Sequence, residues 1–136
     1  MSADPTAARV ALVVGGIRGI GLATAEALAA DGWRVVAADR DAAEAEVAAR
    51  FDCRRLDIQD SAAVDAFASR LLADHGRLDG LVNAAGFNRH EAVADLNDAT
   101  WLSLLDVHIG GVLRRCRALY PALAATPGAG GNFSSI

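Results

Sequence analysis

Lysine is absent from this chain, and all 13 basic side chains are arginines. Cysteine is scarce as well: Cys53 and Cys116 stand far apart, without the spacing of metal ligands. So few cysteines exclude a disulfide-stabilised scaffold, and no metal site is predicted. We expect two reduced, buried thiols, with a disulfide as the alternative.

Long hydrophobic runs are also missing. The longest covers residues 10–17 and ends at Arg18, which is too short to span a bilayer. Residues 1–9 include Asp4 and Pro5 and have no basic stretch ahead of an apolar run, so they are unlike a secretory signal. The sequence therefore predicts a cytoplasmic protein with no membrane partner.

Neither sign of charge dominates the sequence. With 13 basic and 17 acidic residues, the chain has a formal net charge of −4, and the charges are interspersed. A non-specific nucleic-acid binder normally has a basic surface, so a nucleic-acid partner is not expected. A length of 136 residues with 53% apolar content predicts one globular domain over residues 1–136.

Short β-branched runs alternate with alanine-rich helical stretches, which is typical of a parallel sheet with crossover helices. Strands are predicted at residues 10–14, 34–38, 53–56, 78–83 and 132–136. Asp41 is predicted to cap the second helix, with Glu44 completing a capping box. No helix follows the fifth strand, although a parallel strand needs cover on both faces. We therefore expect an α/β, doubly wound parallel sheet, truncated after its fifth strand, and thus an incomplete domain.

The longest predicted helix begins at Asn97 or Asp98 and ends near Tyr120, because Pro121 discourages its continuation. Helical spacing gives this helix one apolar stripe that is expected to face the core: Trp101, Leu104, Leu105, His108, Val112, Cys116 and Leu119.

Glycines cluster directly after the first predicted strand, in the segment Gly15-Gly16-Ile17-Arg18-Gly19-Ile20-Gly21. At a strand-to-helix turn, glycines permit a tight turn, close approach of a pyrophosphate and close packing of helix on sheet. The amino end of the following helix offers N–H groups and a dipole that favour an anion. This context predicts a dinucleotide site that includes Gly15, Arg18, Gly19, Ile20 and Gly21.

A carboxylate, Asp39, ends the second predicted strand roughly 20 residues beyond the glycines, where it can accept the hydroxyls of an adenosine ribose. The same carboxylate repels the 2′-phosphate of NADP, so the sequence favours NAD. Arg18 and Arg40 flank this position and could together bind a phosphate, which keeps NADP as the less favoured alternative. Asp39 could instead cap a helix, although Asp41 fits that role.

Together these segments resemble the short-chain dehydrogenase/reductase family, over nearly the whole chain from Arg9 to Ile136. The glycine turn is similar to the family's cofactor turn, in which a glycine and three further residues precede Gly-Ile-Gly. Leu81-Val82-Asn83-Ala84-Ala85-Gly86 is similar to the Asn-(Asn/Ala)-Ala-Gly segment that ends the family's fourth strand. The resemblance implies a Rossmann-type NAD(P)-binding domain of a homo-oligomeric oxidoreductase, which transfers hydride between nicotinamide and an alcohol or ketone substrate.

The resemblance also implies roles for individual residues. Its cofactor contacts would be Gly15, Gly19 and Gly21 at the pyrophosphate, Asp39 at the ribose, Asp57 and Ile58 beside the adenine, and Asn83, Ala84 and Gly86 along the cleft. Ser135, in the segment 132–135, is similar to the serine that orients the substrate, and the alternative is a polar chain end without a role. His108 stands where the family has a catalytic asparagine and could hold the same water chain, or could equally be a satisfied core histidine.

The family's general acid–base pair, Tyr-x-x-x-Lys, has no counterpart in this sequence. Its spacing puts both side chains on one helix face, but the chain has no lysine, and its one tyrosine, Tyr120, precedes Pro121. Loss of general acid–base catalysis costs about 10²–10⁴ in rate. We therefore predict no dehydrogenase turnover by this chain alone, and low solubility or oligomers because apolar surface lacks cover. The alternative function is that of a non-catalytic nucleotide-binding module or pseudoenzyme.

Overall fold

The computed structural model describes residues 6–87 and 90–132. Strands and helices alternate along them: β1 (Val10–Val14), α1 (Gly19–Ala30), β2 (Arg34–Asp39), α2 (Ala45–Arg50), β3 (Asp52–Arg55), α3 (Ser61–His75), β4 (Gly80–Asn83), α4 (Asp98–Leu105), α5 (Gly111–Ala124) and β5 (Ala129–Asn132). A short 3₁₀ turn, Val93–Asp95, precedes α4, and a π turn, Asp106–Gly110, joins α4 to α5.

All five strands are parallel, in the spatial order β3-β2-β1-β4-β5. The chain therefore builds outward from β1 to β3 on one side and then returns to add β4 and β5 on the other. This reversal leaves a crevice at the carboxyl ends of β1 and β4, where ligands of such sheets bind. The expected α/β, doubly wound parallel sheet is confirmed.

The apolar residues of β1 explain why the sheet is covered on both faces. All five of its residues are buried, and successive side chains point to opposite faces. Leu12 packs in a cluster with Val64, Phe67 and Leu71 of α3 and with Leu119 of α5, whereas the adjacent Val13 packs with Ala25 of α1. Each burial of such a side chain stabilises the fold by about 1.5–3 kcal/mol, so β1 is the centre of the core.

The predicted capping box of the second helix is wrong. Helix α2 begins at Ala45, its N-cap residue is Glu44, and no capping side-chain hydrogen bond forms there. The Asp41 carboxylate instead accepts a hydrogen bond from Arg18, at 3.1 Å, which holds it at the glycine turn. By contrast, the Asp60 side chain accepts from the Ala63 amide at 3.1 Å and caps α3.

The predicted end of the long helix is also wrong, because α5 continues through Pro121 to Ala124. A proline removes one backbone donor, and here the loss falls in the last turn, where the helix still closes. The fifth strand begins at Ala129, three residues before the predicted start at 132, since Gly130 and Gly131 pair with β4 through their backbones. Residues 133–136 lie outside the described part of the chain.

The apolar stripe predicted for this helix is only partly correct: Leu119 is buried as predicted, but three other members are exposed. Trp101 is 51% exposed, and His108 and Cys116 are exposed too. The residues that face the core are Val107, Gly111, Arg115 and Leu119. The π turn widens the helix locally, so a single helical period read across it assigns some residues to the wrong face. Cys53 and Cys116 are both free thiols, as predicted, but Cys53 is only half-buried and Cys116 is exposed.

Candidate functional site: an open cleft at the carboxyl edge of the sheet

An open cleft of about 720 Å³ lies at the carboxyl ends of the strands. Every predicted cofactor residue except Asn83 lines it: Gly15, Arg18, Gly19, Ile20, Gly21, Asp39, Arg40, Asp57, Ile58, Ala84 and Gly86. Lining residues that the sequence did not indicate are Val14, Asp41, Leu56, Gln59, Ala85, Phe87, Ser103 and Val107. Five separate segments of the chain thus converge on one concave surface.

The glycine turn is packed too tightly for other residues. Gly15 has a φ of +78°, and a Cβ at this position would lie 2.6 Å from the amide nitrogen of Ala85. A Cβ on Gly21 would lie 1.8 Å from the carbonyl oxygen of Gly15. The two glycines therefore let the start of α1, the end of β1 and the loop after β4 meet at the base of the cleft.

The amino end of α1 opens onto this cleft. Arg18 is its N-cap residue and makes no capping side-chain hydrogen bond, and Ile20 of the first turn is 64% exposed. The first amides of a helix have no partner within the helix, and the dipole makes this end favourable for negative charge. The turn can therefore accept a phosphate or pyrophosphate group.

Asp39 stands on the cleft wall, half-buried, and its Oδ1 accepts from the Asp41 amide at 3.0 Å. It does not cap a helix, because the N-cap residue of α2 is Glu44. Next to it, Arg18 and Asp41 form an exposed ion pair of 3.1 Å. Because Asp39 is negatively charged and the charge of Arg18 is partly neutralised by Asp41, this wall disfavours binding of an additional phosphate group.

Two residues after β3 form the next part of the cleft. The Asp57 side chain accepts a hydrogen bond from the Gln59 amide at 3.0 Å, which fixes the turn, while Ile58 is 8% exposed. The Leu56 amide donates to the Asp39 carbonyl at 2.8 Å and ties this turn to β2. A flat apolar group with polar edges, such as a purine, suits such a surface.

Asn83 lies behind the cleft rather than on its surface. It is buried at 5% exposure, and its Oδ1 accepts from Nε of Arg115 at 2.6 Å. Arg115 is fully buried, and burial lowers the pKa of Arg115 to about 10, so it remains charged at neutral pH. Its two terminal nitrogens have no hydrogen-bond partner in the described part of the chain. The sequence analysis did not identify Arg115, although residues 107, 111, 115 and 119 lie on one helix face.

His108 does not line the cleft and is exposed, so its interpretation as a core histidine is wrong. Its Nε2 donates a hydrogen bond to the Phe87 carbonyl at 2.8 Å, in the loop that follows β4. Ser135, the other predicted catalytic residue, lies outside the described residues. Among residues 6–87 and 90–132 no cluster of three or more histidine, cysteine or acidic side chains could hold a metal ion.

Comparison with known proteins agrees with this geometry. The family model of the short chain dehydrogenases matches residues 9–133. The short-chain reductase protein NovJ of Streptomyces niveus is 41% identical over 113 residues, which is 77% of this chain and 43% of NovJ. Galactitol 2-dehydrogenase of Rhizobium johnstonii is 43% identical over 117 residues, 79% of this chain and 45% of that protein.

Among solved structures, a metagenomic short-chain oxidoreductase in complex with NADP superposes with a TM-score of 0.82 at 38% identity. The match covers 94% of this chain and 62% of that one. The chain belongs to the short-chain dehydrogenase family, as its sequence predicts. It spans about half the length of the curated relatives it matches. No helix in the described ranges, 6–87 and 90–132, is long and apolar enough to cross a membrane.

Proposed function

We propose that the cleft binds a nicotinamide dinucleotide. The observation that carries the proposal is the convergence of the glycine turn, the amino end of α1 and Asp39 on one open surface at the switch point of the sheet. Gly15, Gly19 and Gly21 would hold the pyrophosphate, and Asp39 would accept the ribose hydroxyls. Other lining residues complete the site: Arg18, Ile20 and Arg40 near the phosphates and ribose, Asp57 and Ile58 at the adenine, and Ala84 and Gly86 along the cleft, with Asn83 behind it.

Within this proposal NAD is the preferred cofactor. A 2′-phosphate would approach the Asp39 carboxylate, which repels it, and Arg18 already pairs with Asp41 at 3.1 Å. Arg40, exposed on the same wall, is the cation that would favour NADP. The related metagenomic enzyme is in complex with NADP, so the two cofactors must be compared directly.

The bound nicotinamide would give or take the hydride, and the substrate would be a small alcohol or ketone. Residues of this chain would bind and orient the cofactor, with Ser135 as the candidate catalytic residue. His108, the other residue predicted from the sequence, does not line the cleft. Because the sequence contains no lysine, it lacks the Tyr-x-x-x-Lys pair, and we expect no measurable turnover by the chain alone. The second candidate, a non-catalytic nucleotide-binding module, rests on that same missing pair.

Fluorescence titration with NADH and NADPH tests the proposal. The chain is expected to bind NADH saturably and more tightly than NADPH. Gly21→Ala should abolish measurable binding, because its Cβ would meet the Gly15 carbonyl at 1.8 Å. Gly131→Ala is the matched control, since no atom lies within 4 Å of its Cβ position. Absence of NADH binding by the unchanged chain would refute the proposed function. Turnover with simple alcohols or ketones would refute the expectation of inactivity.

We also propose that the chain self-associates through helices α4 and α5. Five large apolar side chains between Asp98 and Ala124 are more than half exposed: Trp101, Leu102, Ile109, Leu113 and Tyr120. Exposed apolar residues in such number favour an interface. Light scattering after size exclusion should give a mass above that of a monomer, and Leu113→Glu should lower it.

A further inference from the structure

We propose that the segment from the π turn to the first residues of α5 braces both walls of the cleft, through Arg114 on one side and His108 on the other. The two walls are the β3 wall, residues 57–59, and the β4 wall, residues 84–87. Arg114 and His108 would thus be positioning residues. Their effect on ligands rests on the proposed function, whereas their effect on the walls does not.

The β3 wall is held by Arg114 through its backbone. One terminal nitrogen of Arg114 donates to the Ile58 carbonyl at 3.1 Å, and the other donates to Oδ1 of Asp106. Oδ2 of Asp106 accepts from the Gln59 side chain at 3.2 Å. Hydrogen bonds from Arg114 and then from Gln59 hold the pKa of Asp106 below its usual value, so the carboxylate stays charged and keeps Arg114 aimed at Ile58. Arg114 does not itself line the cleft.

The β4 wall is held by His108. Its Nε2 donates to the Phe87 carbonyl at 2.8 Å, and the rings of the two residues lie 6.2 Å apart. Gly86 leaves the space that the imidazole occupies, since a Cβ there would lie 2.4 Å from Cε1 of His108. This contact uses the proton on Nε2, so the geometry assigns His108 to holding the loop rather than to exchanging that proton.

The π turn explains how one short segment reaches both walls. Side chains two positions apart in a helix do not face each other, so Asp106 and His108 point to different sides. Val107 between them is 7% exposed and lines the cleft, which anchors the turn at the cleft floor. π turns are rare and occur often at functional sites. Here the turn joins two loops that come from opposite sides of β1.

Amide hydrogen exchange tests the brace without any ligand. Arg114→Ala should speed exchange about three- to tenfold in peptides covering 56–60, as expected for the loss of one or two hydrogen bonds, and leave 84–87 unchanged. Arg117→Ala is the matched control, because it makes the same chemical change at an exposed position one turn further along α5. His108→Leu should speed exchange in 84–87 only, and His108→Gln, which retains an N–H donor, should restore it in part.

Ligand binding adds a second, separable readout. Along the sheet order, the adenine end lies toward β3 and the other half of a dinucleotide toward β4, so ADP probes the β3 wall alone. Arg114→Ala should weaken ADP and NADH alike, whereas His108→Leu should weaken NADH and spare ADP. The brace is overturned if Arg114→Ala exchanges like Arg117→Ala, or if His108→Leu loosens both walls equally. Wild-type protein that binds neither ligand would refute the proposed function, while the exchange data would still decide the brace.

Discussion

The two edges of the sheet use their polar groups in opposite ways. At the amino edge, where the strands begin, polar groups pair with one another: Asp79 accepts from the Val10 amide at 2.9 Å and from Nε of Arg77 at 2.7 Å. At the carboxyl edge, the glycine turn and Asp39 face an open cleft. Polar groups that satisfy each other stabilise a fold, whereas those that face a cleft are available to a ligand. The comparison implies that the amino edge determines stability and the carboxyl edge determines binding.

The largest effect of a substitution, a loss of unfolding free energy, is expected at the amino edge. Asp79 is buried, and its carboxylate joins Arg77 to the start of β1. Asp79→Asn removes the charge and replaces one acceptor oxygen with an NH2 group that faces a donor. Disrupting one partner of a buried ion pair should lower the free energy of unfolding by about 3 kcal/mol, measured by urea denaturation. NADH affinity of the folded fraction should be unchanged. Asp65→Asn, on the exposed side of α3, is the control and should stay within about 0.5 kcal/mol of wild type.

Acid should weaken the same edge. Hydrogen bonding from Arg77, opposed by burial and assisted by the Val10 amide, holds the pKa of Asp79 below its ordinary value of 3.8. A carboxyl group with a lowered pKa in the folded state contributes stability above its ordinary pKa and loses it as the pH falls through the folded value. Urea denaturation between pH 7 and acid should show falling stability below about pH 4, with a shallower fall for Asp79→Asn. Parallel profiles for the two proteins would contradict this assignment.

At the carboxyl edge, Asp39→Ser should have the opposite effect: cofactor binding should change while the free energy of unfolding stays nearly the same. Loss of a charged acceptor for the ribose should weaken NADH binding about tenfold, while removal of its repulsion should improve NADPH relative to NADH. The free energy of unfolding should change by less than about 0.5 kcal/mol, since the carboxylate faces the cleft. Equal NADH affinity in wild type and Asp39→Ser would show that the ribose lies elsewhere.

The smallest effect is expected at the exposed part of the amino edge. Arg9 lies 4.2 Å above the Trp33 ring and 3.3 Å from Asp31, with side chains that are 54% and 72% exposed for the arginine and the aspartate. Exposed pairs of this kind contribute about 0.5–1 kcal/mol. Arg9→Ala should cost no more than that in thermal or urea denaturation and should not affect NADH. Arg34→Ala, at the exposed start of β2, is the control. A loss of unfolding free energy as large as that of Asp79→Asn would contradict the distinction between the buried and the exposed parts of the amino edge.

Prediction from sequence succeeded where local chemistry decides the structure. β1 runs from Val10 to Val14 as predicted, because its apolar run can only be buried on both faces. Helix α1 ends before Gly32, whose φ of +84° few other residues adopt. The same local rules predict the glycine turn, whose residues lie in the open cleft, while their role in cofactor binding stays a prediction.

Prediction failed where contacts distant in sequence decide the structure. The core-facing side of α5 depends on the π turn and on the bond from Arg115 to Asn83, and a buried arginine contradicts the apolar pattern from which a core face is predicted. Asp41 fits a capping sequence, but Arg18, 23 residues away in sequence, competes for its carboxylate. Ser103 and Val107 reach the cleft only because α4 and the π turn fold back over it, which no local pattern shows.

The most direct test of the account is to map backbone amide NMR shifts of the chain on addition of NAD. The account predicts the largest changes at the carboxyl edge, in residues 15–21, 39–41, 57–59 and 84–87, and little change at residues 31–33 and 77–79 of the amino edge. Shifts centred on the amino edge, or no saturable shifts at all, would contradict the assignment of the cleft as the dinucleotide site.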